Sequence, residues 1–248
     1  MIPGIGTVIN VGAVLVGSAL GVALGDRLPQ RTRAVVTDAI GLVVLLVAAL
    51  SAAAVLDPGL RDAVGAGAPV LIVLGSVLIG GIVGSLLGLE RRLGSFGEWL
   101  RTRLVKDADA AEAHQFVDGF VTASLVFCVG PLAILGALSD GLGTGIEQLV
   151  LKSVLDGFTA IAFAAALGWG VAASAIAVGV FQGFWTLVGL VAGGLLPESQ
   201  IAAVTATGGV LLIGVALRML RIRDIAVADL LPALLVAPLL TALVAALR

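Results

Sequence analysis

Two side-chain amides, Asn10 and Gln182, are the first residues in this sequence that invite a chemical reading. Leu15-Val16-Gly17 followed by Gly21 matches Leu187-Val188-Gly189 followed by Gly193, and that alignment sets Asn10 opposite Gln182. A side-chain amide offers both donors and an acceptor. Near the starts of two apolar helices, the pair could hold a polar solute or bond helix to helix. The stretch Ser124 to Pro131, with Cys128-Val129-Gly130-Pro131 at its end, is the next candidate. Proline lacks an amide hydrogen and clashes with the preceding turn. A break there frees carbonyls and amides that neighbours, water or a passing solute must satisfy. A solute site containing Ser124, Cys128, Gly130 and Pro131 and a plain proline kink both fit.

Asp118-Gly119-Phe120 recurs as Asp156-Gly157-Phe158, each followed by a glycine at the same offset, Gly130 and Gly168. Each aspartate falls near the start of an apolar run. The preferred reading is a helix N-cap; the functional one is a carboxylate at each mouth of a pathway, attracting cations or exchanging protons. Lys152, four residues before Asp156, also allows a local ion pair. With one histidine and one cysteine there is no triad, metal cluster or nucleotide loop, so neither enzymatic activity nor a cofactor or metal is expected. His114 is expected to be solvated, and the lone Cys128 excludes an internal disulfide.

The elements that must position these residues are membrane helices. The chain has 248 residues, of which 60% are hydrophobic and 12% charged. Its mean hydropathy is +1.18, far outside the range of soluble proteins. Thirty-four glycines and many alanines suit helices packed backbone to backbone rather than a barrel, so the expected class is an all-α polytopic membrane protein. No basic residue precedes the first apolar run, so residues 1–25 do not resemble a cleavable signal peptide. The lack of any long polar stretch leaves no room for a separate soluble domain.

A crossing needs roughly 20 apolar residues. Eight spans are predicted, near 5–25, 36–56, 69–89, 117–138, 151–170, 173–195, 203–220 and 229–247. The doubtful boundary is Leu167-Gly168-Trp169-Gly170, where no charge separates spans five and six, but the 44 residues from Ser153 to Leu196 are about two crossings. Charge supports the division. Eleven of the 14 Lys and Arg residues fall on one side: Arg27, Arg31 and Arg33, then Arg91, Arg92, Arg101, Arg103 and Lys106, then Arg218, Arg221 and Arg223. Arg61, Lys152 and Arg248 fall on the other. Fusing spans five and six would leave nine against five. The positive-inside rule therefore favours eight spans with both termini outside the cytoplasm. Residues 91–113, with Phe96, Trp99, Leu100 and Leu104 among arginines, are predicted to form a cytoplasmic amphipathic connection on the headgroups; a gate or docking helix is the alternative.

The chain also resembles itself at longer range. Leu28-Pro29 and Leu196-Pro197 are each followed at equal offsets by Val-Thr and by glycine, and residues 28–49 and 196–217 are identical at eight of 22 positions. Spans one and six, two and seven, and four and five then run in opposite directions, as probable partners three and eight would. A single transmembrane domain, residues 1–248, is expected, with repeat-like halves near 1–138 and 151–248 related by inverted topology.

Asn10, Leu28-Pro29-Gln30-Arg31, Ser124 to Pro131, Gly136 to Leu142 and Leu151 to Gly157 resemble the YdfK/YqgA-like bacterial inner-membrane family, a domain of unknown function. The resemblance covers essentially the whole chain. It implies a multi-pass protein of the bacterial cytoplasmic (inner) membrane and carries no substrate or site residues with it. Members often have Met after the proline; Leu132 here argues against a thioether role at that position.

The expected function is a small-solute or ion transporter or channel, with a pathway between spans one, four, five and six. Asn10, Ser124, Cys128, Gly130, Pro131 and Gln182 would line it, with Asp118 and Asp156 at the mouths. The alternative is a membrane scaffold or sensor whose glycine-rich faces bind another membrane protein. The lipid bilayer is the expected partner, nucleic acid is not, and Gly-x-x-x-Gly faces are compatible with a homodimer.

Overall fold

The computed structural model describes residues 2–25, 29–104, 110–128, 131–192 and 197–248. In chain order its helices are α1 (Ile5–Gly25), α2 (Gln30–Ala52), α3 (Pro58–Val64), α4 (Ala68–Leu87), α5 (Leu89–Leu104) and α6 (Ala110–Cys128). They continue with α7 (Pro131–Leu142), α8 (Glu147–Leu167), α9 (Gly170–Ala192), α10 (Glu198–Met219) and α11 (Ala233–Ala246). Single 3-10 turns extend α2 (Ala53–Leu56) and precede α11 (Val227–Leu230). The described residues contain no strand. Among the described residues, seven segments are long and apolar enough to cross a bilayer, and α6 with α7 supplies an eighth if that pair is one broken span. The chain is an all-α, multi-pass membrane protein.

The eight sequence-predicted spans match these helices closely. Spans five and six are separate because Gly168 ends α8 at φ +75°, where a side chain would be strained, and α9 restarts at Gly170. The fourth span is broken as expected: α6 and α7 are inclined at 62°. Pro131 opens α7, the helix position where its missing amide hydrogen costs nothing. Residues 105–109 lie outside the described residues, so the 91–113 connection is seen as α5 and the start of α6.

The chain forms two compact units. The first contains α1, most of α5, and α6 to α9. In lipid there is no hydrophobic drive between helices, so they must gain from close packing and hydrogen bonds. Glycines at every fourth position of α1 provide the first. A Cβ on Gly17, Gly21 or Gly25 would lie 2.3, 2.3 or 2.6 Å from the carbonyl oxygens of Gly157, Ile161 and Ala165 of α8. The matching four-residue steps show that α1 and α8 run parallel at backbone contact. Helix α9 opposes α1: the hydroxyls of Thr7 and Thr186 are 3.4 Å apart, while Val11 lies against Gly179. Helix α6 opposes α8, since Gln115 near its start donates to the Ala166 carbonyl near the end of α8, at 3.0 Å. The expected opposition of spans one and six, and of four and five, is therefore present in this unit. The sequence-matched glycines nevertheless take different partners: Gly17 packs on Gly157, whereas Gly189 packs on Leu138 and Gly141 of α7.

On α5, Leu100 is buried while Phe96 and Trp99 stay half-exposed. The two rings stack at 5.6 Å and the Arg103 guanidinium lies over Trp99. Phe96 also meets Phe120 of α6, which approaches over Gly97. One face of α5 is thus anchored to its own unit.

The second unit contains α2 from Leu42 onward, α3, α4, α10 and α11. Gly84 sits under the Asp229 carbonyl and Gly80 under Ala233, so α4 and the segment leading into α11 run antiparallel at close range. Glu90 ties one end together: its carboxylate accepts from Arg218 Nη1 (2.5 Å) and from the Ala228 amide (2.9 Å), while its own amide donates to Asp229 (2.8 Å). At another end of the unit, Arg248 donates to the Asp62 carbonyl beside Arg61.

The glycine contacts of α1 generate a direct test. Gly17→Leu should destabilise the purified protein by about 1–3 kcal/mol or more, since the side chain must displace α8 backbone. Gly12→Leu, where a Cβ meets nothing within 4 Å, should leave the thermal midpoint nearly unchanged. Equal midpoints for the two variants would contradict the α1–α8 packing.

Candidate functional site

The first unit carries an ion pair inside its helices. Lys152 Nζ lies 2.5 Å from Asp156 Oδ2, one turn along α8, and both residues are buried, at 6% and 7% exposure. Asn10 of α1 donates from Nδ2 to the same Asp156 oxygen at 2.9 Å. Side chains on a helix lean toward its N-terminus, so the Asp156 carboxylate reaches back toward Lys152 and across to α1. The thiol of Cys128, at the end of α6, is buried in the same unit. Leaving either charge alone in the apolar interior would be costly, about 2.5–3.5 kcal/mol even on the mildest insertion scale.

In the same unit, several side-chain polar atoms are buried with no partner among the described residues: Asn10 Oδ1, Ser18 Oγ, Arg101 Nε, Ser124 Oγ, Trp185 Nε1 and both amide atoms of Gln182. The contacts Thr7–Thr186 and Val11–Gly179 set the register of α1 against α9 and place Gln182 at the level of Asn10. The two amides are not hydrogen-bonded to each other, since neither Gln182 amide atom has a partner among the described residues. Ser124 and Cys128 are one helical turn apart on α6 and both are buried. Gly130 lies outside the described residues; the backbone of Pro131 begins α7.

For Asp156 the ion pair with Lys152 that their four-residue spacing allows is present, whereas the preferred capping role is not. Neither Asp118 nor Asp156 is an N-cap, because the helices begin earlier than hydropathy indicated: α6 starts at Ala110 and α8 at Glu147. Asp118 lies within α6, part-exposed, with His114 Nε2 3.3 Å away and His114 itself largely exposed. Asp156 lies deep in α8, nine residues after its start. Lys152 likewise sits inside α8, buried against Asp156, rather than among the basic residues that flank the apolar helices. Polar residues at the head of α8 (Glu147, Gln148) mask its true start from a hydropathy window.

One buried carboxylate escaped the sequence reading. Asp140 of α7 is 2% exposed and accepts from the Gly4 and Gly6 amides, at 3.1 and 3.0 Å. It satisfies free amides at the positive end of α1 and so docks the second half of the broken span onto the first helix. An aspartate in the otherwise apolar Leu135–Leu142 stretch was the available signal.

An apolar groove of about 840 Å³ runs along the same unit between Val11, Leu15, Phe116, Trp169 and Val180. None of the candidate polar residues lines it, and its chemistry matches acyl chains rather than a polar solute.

Comparison with known proteins bears on this cluster. Residues 5–242 match the model of a family described as a protein of unknown function, DUF554. The chain belongs to that family. Within it, the chain is similar to YqgA of Escherichia coli K12, 31% identical over 239 residues, covering 96% of each protein. It is also similar to the Bacillus subtilis 168 membrane protein YdfK, 31% identical over 170 residues, covering 68% of this chain and 69% of that one. No solved structure matches. Both relatives are described as uncharacterized, so DUF554 membership brings the membrane setting and no chemistry.

The ion pair predicts a distinctive mutational pattern. Asp156→Ala should destabilise the protein by about 3–5 kcal/mol, because it strands the Lys152 charge. The double variant Lys152→Met/Asp156→Leu, which removes both charges, should recover much of that loss, the remaining cost of about 1–3 kcal/mol coming from Asn10 Nδ2 left without its acceptor. A double variant as unstable as the single one would show that the pair is not coupled.

Proposed function

We propose that this protein moves a small solute or ion across the bacterial inner membrane through the unit built from α1, α6–α7, α8 and α9. The observation that carries the reading is the incomplete polar cluster: a Lys–Asp pair and two amides, buried among apolar helices with hydrogen-bonding capacity unused. Intramembrane ionisable residues are expensive and cluster along solute and ion paths. A protein needing only to hold its helices together would do so more cheaply with the small-residue contacts that α1 and α8 already make. The broken α6–α7 span supports the reading, since discontinuous helices surround sites in transporters, as does the opposed pair α1 and α9 that brings Asn10 level with Gln182. In this reading the sealed cluster is an occluded state, and opening requires α1 or α9 to shift.

The second reading, a scaffold or sensor for another membrane protein, draws on one observation. Asn10 already bonds helix to helix through Asp156, which is what a purely structural amide does. Gln182, buried without a partner among the described residues, favours transport.

A ligand-stabilisation screen on purified protein, followed by flux in proteoliposomes, separates the two. Transport predicts a solute whose flux falls about tenfold or more in Asn10→Ala and Gln182→Leu, the effect of losing roughly 1.4 kcal/mol of binding, while both variants stay folded. Folded protein that binds and moves no ion or metabolite class, but retains a membrane-protein partner, would favour the scaffold.

The proposed orientation places both termini outside the cytoplasm. With Lys152 inside α8, eleven basic residues stand against Arg61 and Arg248, a stronger bias than the raw count. In a Cys128→Ala background, Ile222→Cys should react with a membrane-impermeant thiol reagent only from the cytoplasmic side and Ala66→Cys only from outside. The reverse pattern would invert the topology.

A further inference from the structure

We propose that the solute is a zwitterion: a small molecule bearing one ammonium and one carboxylate group, as the neutral amino acids do. The inference rests on the transport reading of the same cluster. It begins with charge balance. Lys152 and Asp156 sum to zero, and both are buried. Any solute that enters between them must leave no charge unpaired, because an isolated buried charge costs several times what a paired one does. A lone cation at Asp156 would leave Lys152 and the cation sharing one carboxylate. A lone anion at Lys152 would produce the mirror problem. A zwitterion replaces one ion pair with two: its ammonium on Asp156 and its carboxylate on Lys152.

The geometry permits that exchange. One Asp156 oxygen, Oδ2, accepts from both Lys152 and Asn10, so the carboxylate stays anchored to α1 when the lysine leaves. Lys152 has three donors on a four-carbon flexible stem, able to swing from Asp156 to an incoming carboxylate without moving the helix. The unused atoms nearby complete the description. Gln182 offers a donor and an acceptor, and Asn10 Oδ1 a further acceptor, at one level of the bundle. They suit the remaining N–H and oxygen atoms of a small polar molecule. Both amides are fully buried, which limits the solute to a small one.

The test compares a zwitterion with its halves. The thermal midpoint of the purified full-length protein is measured with L-alanine, with propionate and with ethylammonium, and then with neutral amino acids from glycine to glutamine. One or more neutral amino acids should raise the midpoint by roughly 5 °C at saturating concentration, with neither propionate nor ethylammonium doing so. Lys152→Met/Asp156→Leu should remain folded and lose the shift. A shift from propionate or ethylammonium alone, lost in the double variant, would overturn the zwitterion and keep the site. A zwitterion shift that survives the double variant would overturn the Lys152–Asp156 assignment. If no neutral amino acid shifts the midpoint while another solute shows flux sensitive to Asn10→Ala, the class falls and transport stands. If no solute of any class moves, both fall.

Discussion

Lipid offers no hydrogen bonds, and this governs the arrangement of α1 more than any other element. The helix brings Thr7, Asn10 and Ser18 into an apolar bundle, and all three are buried. Thr7 is met by Thr186 of α9, Asn10 by Asp156 of α8, and the free amides at its start by Asp140 of α7. Three other helices are thereby held to one. The glycines opposite α8 allow this, since only a backbone-to-backbone approach lets a short asparagine side chain reach a carboxylate on the neighbouring helix.

The two ends of α1 do different work. Beyond residue 17 the contact with α8 is glycine on backbone and admits no side chain of any size. Before it, the contact is polar, and the matching is incomplete at Asn10 Oδ1 and at Gln182. Packing alone would favour closing that region with apolar side chains. The unit containing α4 and α11 offers a contrast: Gly80 and Gly84 pack as closely there, but its charged residues Glu90, Arg218 and Asp229 bond one another at the ends of helices.

Much of this could be read in advance. Runs of apolar length marked the helices, and the arginine clusters separated spans five and six before Gly168 did. Asn10 and Gln182 come to a similar level through the Thr7–Thr186 and Val11–Gly179 contacts; the sequence alignment does not fix this, since inverted repeats place matched positions at mirrored depths. The aspartates were harder. Hydropathy marks where lipid begins, whereas helices extend past that point, so Asp118 and Asp156 looked like caps. Lys152 counted among the flanking basic residues for the same reason. Asp140 stayed hidden because its partners are backbone amides, which no sequence pattern displays.

The sequence alone thus determined the class, the segments apolar and long enough to cross, and the residues capable of polar chemistry. These follow from composition, length and charge, which act on each segment separately. Only the tertiary structure decided which charges meet. The Lys152–Asp156 pair is local to α8, but its burial and its third partner, Asn10, depend on how closely two helices far apart in sequence approach. That approach is a property of facing surfaces rather than of either segment. It converted a flanking basic residue, an expected helix cap and a lone amide into one buried, charge-balanced cluster.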